Sequence, residues 1–270
     1  MSVACSLLLL HGTKQAFTPP SLRHQREEGC PCRMSPWMND TEFKKKMMNI
    51  FRLLGDLSHL ISFFFLIQRL LEKKNAVGIS LKTQELFLLV FLTRYLDLFF
   101  HFYSLYNTLM KITYIAASIY IVYLIRVKYA SSYEAHLDSY LHIQFAILPA
   151  VVLSLIFNEG DFWKQNIFSY GFEICWAFSL YLESIAILPQ LILLQRYKSV
   201  ENITSWYIFS LGAYRALYIL NWIYRLYTET HYRAYIPWLT GVIQTAFYVD
   251  FFYYFALSKM HGSSAVILPS

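Results

Sequence analysis

The sequence predicts an all-α membrane protein with seven transmembrane helices, and three observations lead there. The 270-residue chain is 57% hydrophobic and 19% aromatic, where a soluble domain averages about 45–50% apolar. The excess lies in runs long enough to cross a hydrocarbon core, about 20 residues each. Lys and Arg collect in the short loops between runs. Despite a net charge of +6, that distribution speaks of membrane orientation and not of nucleic acid.

The runs fall at residues 50–71, 84–105, 109–127, 141–157, 166–195, 205–228 and 236–257. The fourth is short, and the fifth is long enough to tilt or protrude. Residues 1–47 differ from the rest: they are polar and aperiodic, carry Pro19-Pro20 and Cys30-Pro31-Cys32, and read as a disordered extension. The patch Ser6-Leu7-Leu8-Leu9-Leu10 lacks the basic flank of a signal peptide. Asn39-Asp40-Thr41 is a glycosylation pattern that matters only in a lumenal leader. The expected organisation is an extension (1–47), a seven-helix domain (48–257) and a cytosolic tail (258–270).

Loop charge orients the spans. Arg69, Lys73, Lys74, Lys82, Arg126, Lys128, Arg196, Lys198 and Lys259 share one side, while Lys111, Lys164, Arg225 and Arg233 share the other. The richer side, with the C-terminus, is expected in the cytosol. Lys44-Lys45-Lys46 would then be lumenal beside the first span, a conflict that favours a working chain starting at Met47 or Met48. An internal echo also exists. Arg94-Tyr95-Leu96 in the second run is matched by Arg215-Ala216-Leu217 in the sixth, and the loops before these runs end in Ile79-Ser80 and Ile203-Thr204. Runs one to three and five to seven can therefore be repeats around a lone fourth helix, an arrangement membrane proteins use.

Eleven ionisable residues sit inside the runs: Arg52, Asp56, His59, Arg94, Asp97, Lys111, Glu173, Glu183, Arg215, Arg225 and Asp250. Each costs about 2.5–3.5 kcal/mol in hydrocarbon unless it faces a cavity or a partner. So many point to a polar site inside the bundle, as in a receptor, a transporter or an intramembrane enzyme. Helical spacing places Arg52, Asp56 and His59 on one face of the first span, and Arg94 with Asp97 on the second. Glu173, Trp176, Leu180 and Glu183 share a face of the fifth; Tyr214, Tyr218, Asn221 and Arg225 share one on the sixth, flanked by Arg215 and Trp222. Entering from the lumen, Arg52 lies near the mouth and His59 lies about 10 Å deeper. Glu183, Arg215 and Asp250 fall toward the midplane or beyond.

The arginine fork binds carboxylate in a bidentate manner, and Arg52, Arg94 and Arg225 exceed what one carboxylate needs. Asp97 and Glu173 can hold a cation, with Trp176 stacked on it. The expected ligand is small, zwitterionic or polyanionic, with one positive end. The opposing reading is internal pairing of Arg52 with Asp56, Arg94 with Asp97, and Arg225 with Glu173. His59, the histidine at membrane depth, is either a neutral core residue or a pH switch, since its ordinary pKa is about 6.5. His101 lies near a span end. No nucleophile motif, phosphate loop or metal-ligand pattern appears; Cys30-Pro31-Cys32 lacks a second ligand pair, so no metal or cofactor is expected. The 22 Tyr and the tryptophans mostly mark interfacial belts.

The run Met48-Asn49-Ile50-Phe51-Arg52-Leu53-Leu54-Gly55-Asp56-Leu57-Ser58-His59-Leu60 closely resembles the start of the KDEL/HDEL receptor family. So do Thr93-Arg94-Tyr95-Leu96-Asp97-Leu98-Phe99, Ser104-Leu105-Tyr106-Asn107-Thr108 and Tyr181-Leu182-Glu183-Ser184-Ile185-Ala186-Ile187-Leu188-Pro189-Gln190. Tyr214-Arg215-Ala216-Leu217-Tyr218, Asn221-Trp222 and Tyr248-Val249-Asp250-Phe251-Phe252-Tyr253 extend the likeness over residues 48–257. The resemblance implies seven helices arranged as two three-helix bundles around a fourth, like SWEET and PQ-loop transporters. It implies a receptor, not an enzyme, that binds the C-terminal tetrapeptide of escaped ER residents in the acidic Golgi and releases it in the neutral ER. By position, it gives Arg52, Arg94 and Arg225, with Tyr95, to the signal's carboxylates; Asp97, Glu173 and Trp176 to its cationic first residue; and Trp222 to the pocket wall. It makes His59 the proton sensor, acting with Glu183 and Tyr214, and makes Arg215 and Asp250 couple binding to helix movement.

Two departures from the family stand out. The extension precedes the family's start, and the tail carries one lysine, Lys259, where the family has a cluster read by the COPI coat. The residues that the resemblance assigns to the ligand are all present, while the coat signal is reduced to one lysine. The alternative within the same fold is a small-solute transporter, because fold does not fix function.

Overall fold

A computed structural model of the protein describes residues 49–100, 102, 104–160, 163, 166–229, 234–263 and 265–268. The extension at 1–47, His101, Lys164 and Arg233 lie outside them.

Helix α1 (Ile50–Lys73) starts where the Asn49 side chain accepts the Arg52 N–H at 2.9 Å, the usual N-terminal cap. It stops at Lys74, whose left-handed backbone (φ 52°) lets its N–H close on Leu70 O at 3.1 Å. Asp56, His59, Ser62, Phe63, Leu66 and Leu70 face inward, while Leu54, Leu57, Ile61 and Phe64 face outward. A helix with polar groups inside and apolar groups outside reverses the soluble pattern and suits a lipid surround.

Helix α2 (Leu81–Arg94) is capped by Ser80 and runs into a tighter turn at Leu96–Phe99. Helix α3 (Leu105–Tyr123) is capped by Ser104 and ends in a π-helical turn, Leu124–Lys128. A second π-turn, Ile143–Ile147, leads into α4 (Leu148–Ile156). The fifth run divides into α5 (Ile167–Ile185) and α6 (Leu188–Tyr197), then come α7 (Asn202–Thr228) and α8 (Tyr235–Met260). Strand β1 (Ser199–Glu201) pairs antiparallel with β2 (Ala265–Ile267), with Val200 opposite Val266. Among the described residues, three stretches, Ile50–Lys73, Leu105–Lys128 and Ile167–Tyr197, are long and apolar enough to cross a membrane.

Three expectations are corrected. The second run predicts a continuous helix to 105, but α2 ends at Arg94. Arg94 and Asp97 thus do not share one α-helical face: the tight turn carries Asp97 to Lys111 of α3, while Arg94 turns to α5. The long fifth run breaks at Ala186–Ile187, because Pro189 in the first turn of α6 has no N–H to continue the ladder. The tail, read as a plain cytosolic segment, begins in α8 and then supplies β2, which the sequence reading lacks.

The helices pair in a repeating scheme. α1 packs on α7, and α2 on α5; α1 and α2 both touch α3, while α5 and α7 both touch α8; α4 packs on α5. Partners such as Asn49–Asn221 and Ser58–Ser210 run α1 antiparallel to α7. The loops before α2, after α3 and after α6 gather at one end: Asp138 accepts from Ser80 Oγ at 2.9 Å and from Tyr133 OH at 2.8 Å. At the same end Gln190 accepts from Ser80 N at 2.8 Å, and Leu268 N donates to Lys198 O at 2.9 Å. Burial and the neighbouring Asp138 push the Tyr133 hydroxyl above its ordinary pKa. Lys198, closing α6, repeats the left-handed cap of Lys74 (φ 57°).

Candidate ligand-binding site

Between the two ends lies a buried charged cluster centred on Glu183. Its Oε2 meets Arg94 Nη1 at 2.5 Å, and its Oε1 meets Arg215 Nη2 at 2.5 Å. Tyr214 donates its hydroxyl to Oε1 at 2.5 Å and receives Gln244 Nε2 and Arg215 Nη2, each at 3.2 Å. Arg94 Nε donates to Ser179 Oγ at 3.0 Å, and that hydroxyl donates to Trp176 O at 2.6 Å. Helices α2, α5, α7 and α8 each contribute, so the cluster exists only when they are packed. Two guanidiniums share one carboxylate, which leaves the cluster net positive. Arg94 Nη2 and Arg215 Nε are buried without a hydrogen bond among the described residues. A carboxylate ligand would supply what these donors lack.

His59 adjoins this cluster through rings rather than hydrogen bonds. It stacks on Tyr214 (centroids 4.1 Å, planes 7° apart) and on Phe63 (5.0 Å, 16°), with Tyr114 at 4.9 Å. His59 and Glu183 thus contact the same phenol, so a proton on the one has a short route of influence to the other.

A second buried carboxylate, Asp56, lies one turn from both Arg52 and His59 on α1. It accepts the hydroxyl of Tyr106 (α3) at 2.8 Å and that of Tyr218 (α7). Tyr114 OH adds a bond to the Asp56 backbone carbonyl at 3.3 Å. Gly55 is needed beside it, since a Cβ there would stand 2.8 Å from the Tyr218 ring.

At the end opposite the gathered loops, Arg52 is half-buried in the first turn of α1. Arg225, near the end of α7, grips Glu229 with two bonds of 3.0 Å. Asp97 pairs with Lys111 at 2.6 Å. Tyr95 is half-buried beneath them, its ring stacked on Phe91 at 5.8 Å. Glu173 and Trp176 are half-buried on α5. Trp222 is buried against Gly241, where a Cβ would come within 2.4 Å of its ring. Asp250 stands on the exposed side of α8, apart from Arg215. Of the internal pairs that spacing suggests, Arg94 chooses Glu183 over Asp97, and Arg225 is held by Glu229 rather than Glu173.

Sequence alone does not single out Ser179 or Gln244; it gives Tyr106 only within a motif and Asp56 only as a partner for Arg52, and it places Lys111 and Tyr218 on their helices without a role. A polar residue in an apolar run is the only signal such positions give, and Ser and Gln carry too little cost in a helix to stand out. Asn49, whose side chain donates to Asn221 at 2.6 Å, is a further link of this kind.

Apolar outer faces, spans of membrane length and a charged cluster held between helices are together the features of an all-α membrane protein with a polar site inside its bundle. The family model described as ER lumen protein retaining receptor matches residues 75–225, more than half of the chain. ER lumen protein-retaining receptor A of Arabidopsis thaliana is 53% identical over 213 residues, covering 78% of this chain and 95% of its own. The Plasmodium falciparum receptor is 49% identical over 223 residues, 82% of this chain and 97% of its own. The Drosophila melanogaster receptor is 46% identical over 215 residues, 80% and 97%. The chain belongs to the ER lumen protein retaining receptor family, a family of receptors and not of enzymes.

Proposed function

We propose that this chain is a membrane receptor that binds the C-terminal K/HDEL-type tetrapeptides of soluble ER residents in the acidic Golgi and releases them in the ER. The observation that carries this reading is the net-positive cluster: two buried arginines on one carboxylate, with donor nitrogens left for a carboxylate ligand. Family membership supports it, since the relatives are named for retaining ER lumen proteins.

In this reading Arg52, Arg94 and Arg225, with Tyr95, take the signal's carboxylates. Asp97, Glu173 and Trp176 take its cationic first residue, and Trp222 walls the pocket. His59 senses the proton through Tyr214 and Glu183, and Arg215 and Asp250 transmit binding to α7 and α8. The receptor domain is 48–257, followed by a tail at 258–270. The repeating helix pairings support two three-helix units around α4, as in SWEET-type proteins: α1–α3, and a second made of the α5–α6 run with α7 and α8. Of the two loop sets, the one at the end where the loops gather is richer in Lys and Arg, which favours a cytosolic C-terminus, and the COPI coat would read that surface.

The test is peptide binding to the purified protein at about pH 5.5 and about pH 7.4, a range that spans the ordinary histidine pKa. Tight binding of a free Lys-Asp-Glu-Leu terminus at the lower pH, with weak binding of its amide, is expected. Equal binding of acid and amide overturns the reading. Net sugar or amino-acid flux in proteoliposomes would favour the small-solute transporter instead.

A further inference from the structure

Asp97 is the acid that the proposed reading gives to the signal's cationic first residue, yet it already holds a cation of the chain itself. Lys111 Nζ lies 2.6 Å from Asp97 Oδ2. The ammonium also sits 5.6 Å from the centroid of the Tyr95 ring, within cation–π range. Its side chain is only 10% exposed, so it is held there rather than left in solvent. The other carboxylate oxygen, Asp97 Oδ1, is buried and makes no hydrogen bond among the described residues. One oxygen is thus occupied by an internal lysine and the second is vacant.

We propose that Lys111 is a specificity-determining residue: it sets how strongly the receptor demands a positive charge at the first position of the signal. The inference rests on the retrieval-receptor reading. The physical argument is electrostatic. A ligand cation on Oδ1 would stand about 5 Å from Lys111 on Oδ2, judged from hydrogen-bond lengths. At that separation like charges repel appreciably in a partly buried site. Lys111 therefore cancels much of what Asp97 offers a cation, and it tolerates ligands whose first residue is weakly charged or neutral. Without Lys111 the full charge of Asp97 would act on the ligand, and the reward for a cation would grow.

The experiment compares two peptides, ending Lys-Asp-Glu-Leu and Gln-Asp-Glu-Leu, on wild-type, Lys111→Met and Lys111→Arg receptor at one acidic pH. The ratio of the two affinities is the readout, and general weakening cancels from it. Lys111→Met is expected to raise the preference for the Lys peptide by about tenfold, while Lys111→Arg keeps the wild-type ratio. An unchanged ratio in Lys111→Met, with binding retained, overturns the inference. Loss of both peptides in Lys111→Met but not in Lys111→Arg also overturns it, because Lys111 would then only brace Asp97. Failure of the wild-type protein to bind either peptide strikes the receptor reading itself and is told apart on that ground.

Discussion

The imidazole of His59 lies flat on the phenol of Tyr214, with ring centroids 4.1 Å apart and planes 7° from parallel, and that phenol donates to Glu183 at 2.5 Å. Protonating His59 adds a positive charge one ring away from a carboxylate already shared by two arginines. An anionic ligand gains from that charge, so protonation and binding favour each other by linkage.

The first prediction is the pH profile that follows. Affinity for a Lys-Asp-Glu-Leu terminus is high in acid and is lost as His59 gives up its proton, so it is low by about pH 7.5, above the ordinary imidazole range. Titrating affinity across that range in wild type, His59→Ala and His101→Ala checks it. His59→Ala loses binding or flattens the slope, and His101→Ala keeps it. An unchanged profile in His59→Ala moves the sensor to Glu183 and Tyr214.

Arg94→Ala is expected to weaken peptide binding by about thirtyfold or more, since one member of a desolvated charge pair is worth about 2–5 kcal/mol. Glu183→Gln acts on folding as well: it leaves Arg94 and Arg215 buried without their counter-charge, a loss of about 3–5 kcal/mol. Denaturation of the detergent-solubilised variant measures this, and wild-type stability in Glu183→Gln would contradict the cluster's role.

Gly241→Ala tests the pocket wall. The added Cβ meets the Trp222 ring at 2.4 Å, and overpacking of this kind costs about 1–3 kcal/mol. Trp222 cannot swing freely, with Trp238 at 5.9 Å and Tyr218 at 6.3 Å. Trp222→Phe should therefore recover part of the loss. A double-mutant cycle reads this coupling directly, and simple additivity would show that the two residues act apart.

The tail prediction concerns the coat. Lys259 Nζ is bound to Asn202 Oδ1 and lies 5.4 Å from the Trp206 ring and 5.3 Å from Phe255. The tail has one lysine, so COPI should bind the native tail peptide weakly, and in the intact receptor that lysine is already engaged. A lysine-rich replacement tail should shift the receptor from Golgi to ER. Strong coat binding by the native tail, lost in Lys259→Ala, would refute this.

The helical runs were legible because burial in lipid demands long apolar stretches, and one chain cannot hide that signal. Their ends were less so. The stop of α2 at Arg94, where the chain tightens into the turn Leu96–Phe99, has no Gly or Pro to announce it, and the break before Pro189 was visible only as excess length. The site was legible as a set of costly charges but not as a set of pairs. Spacing joined Arg94 to Asp97 because they are three residues apart, whereas Arg94 meets Glu183 at 2.5 Å across 89 positions of sequence. Strand β2 gave no readable signal: three residues, Ala265-Val266-Ile267, form a strand only because β1 is there to pair with them.

The sequence alone determined that this chain is helical, apolar outside and charged within, because hydrocarbon penalises each ionisable group and only function or pairing retains it. The quoted motifs also carried its family. Only the tertiary structure decided which charges meet, that Glu183 rather than Asp97 holds Arg94, and that Asp97 is already shared with Lys111. The physical reason is range. Helix formation and membrane burial follow from neighbours a few residues apart, whereas an ion pair of 2.5–2.6 Å between helices is fixed only when their packing sets depth and rotation together.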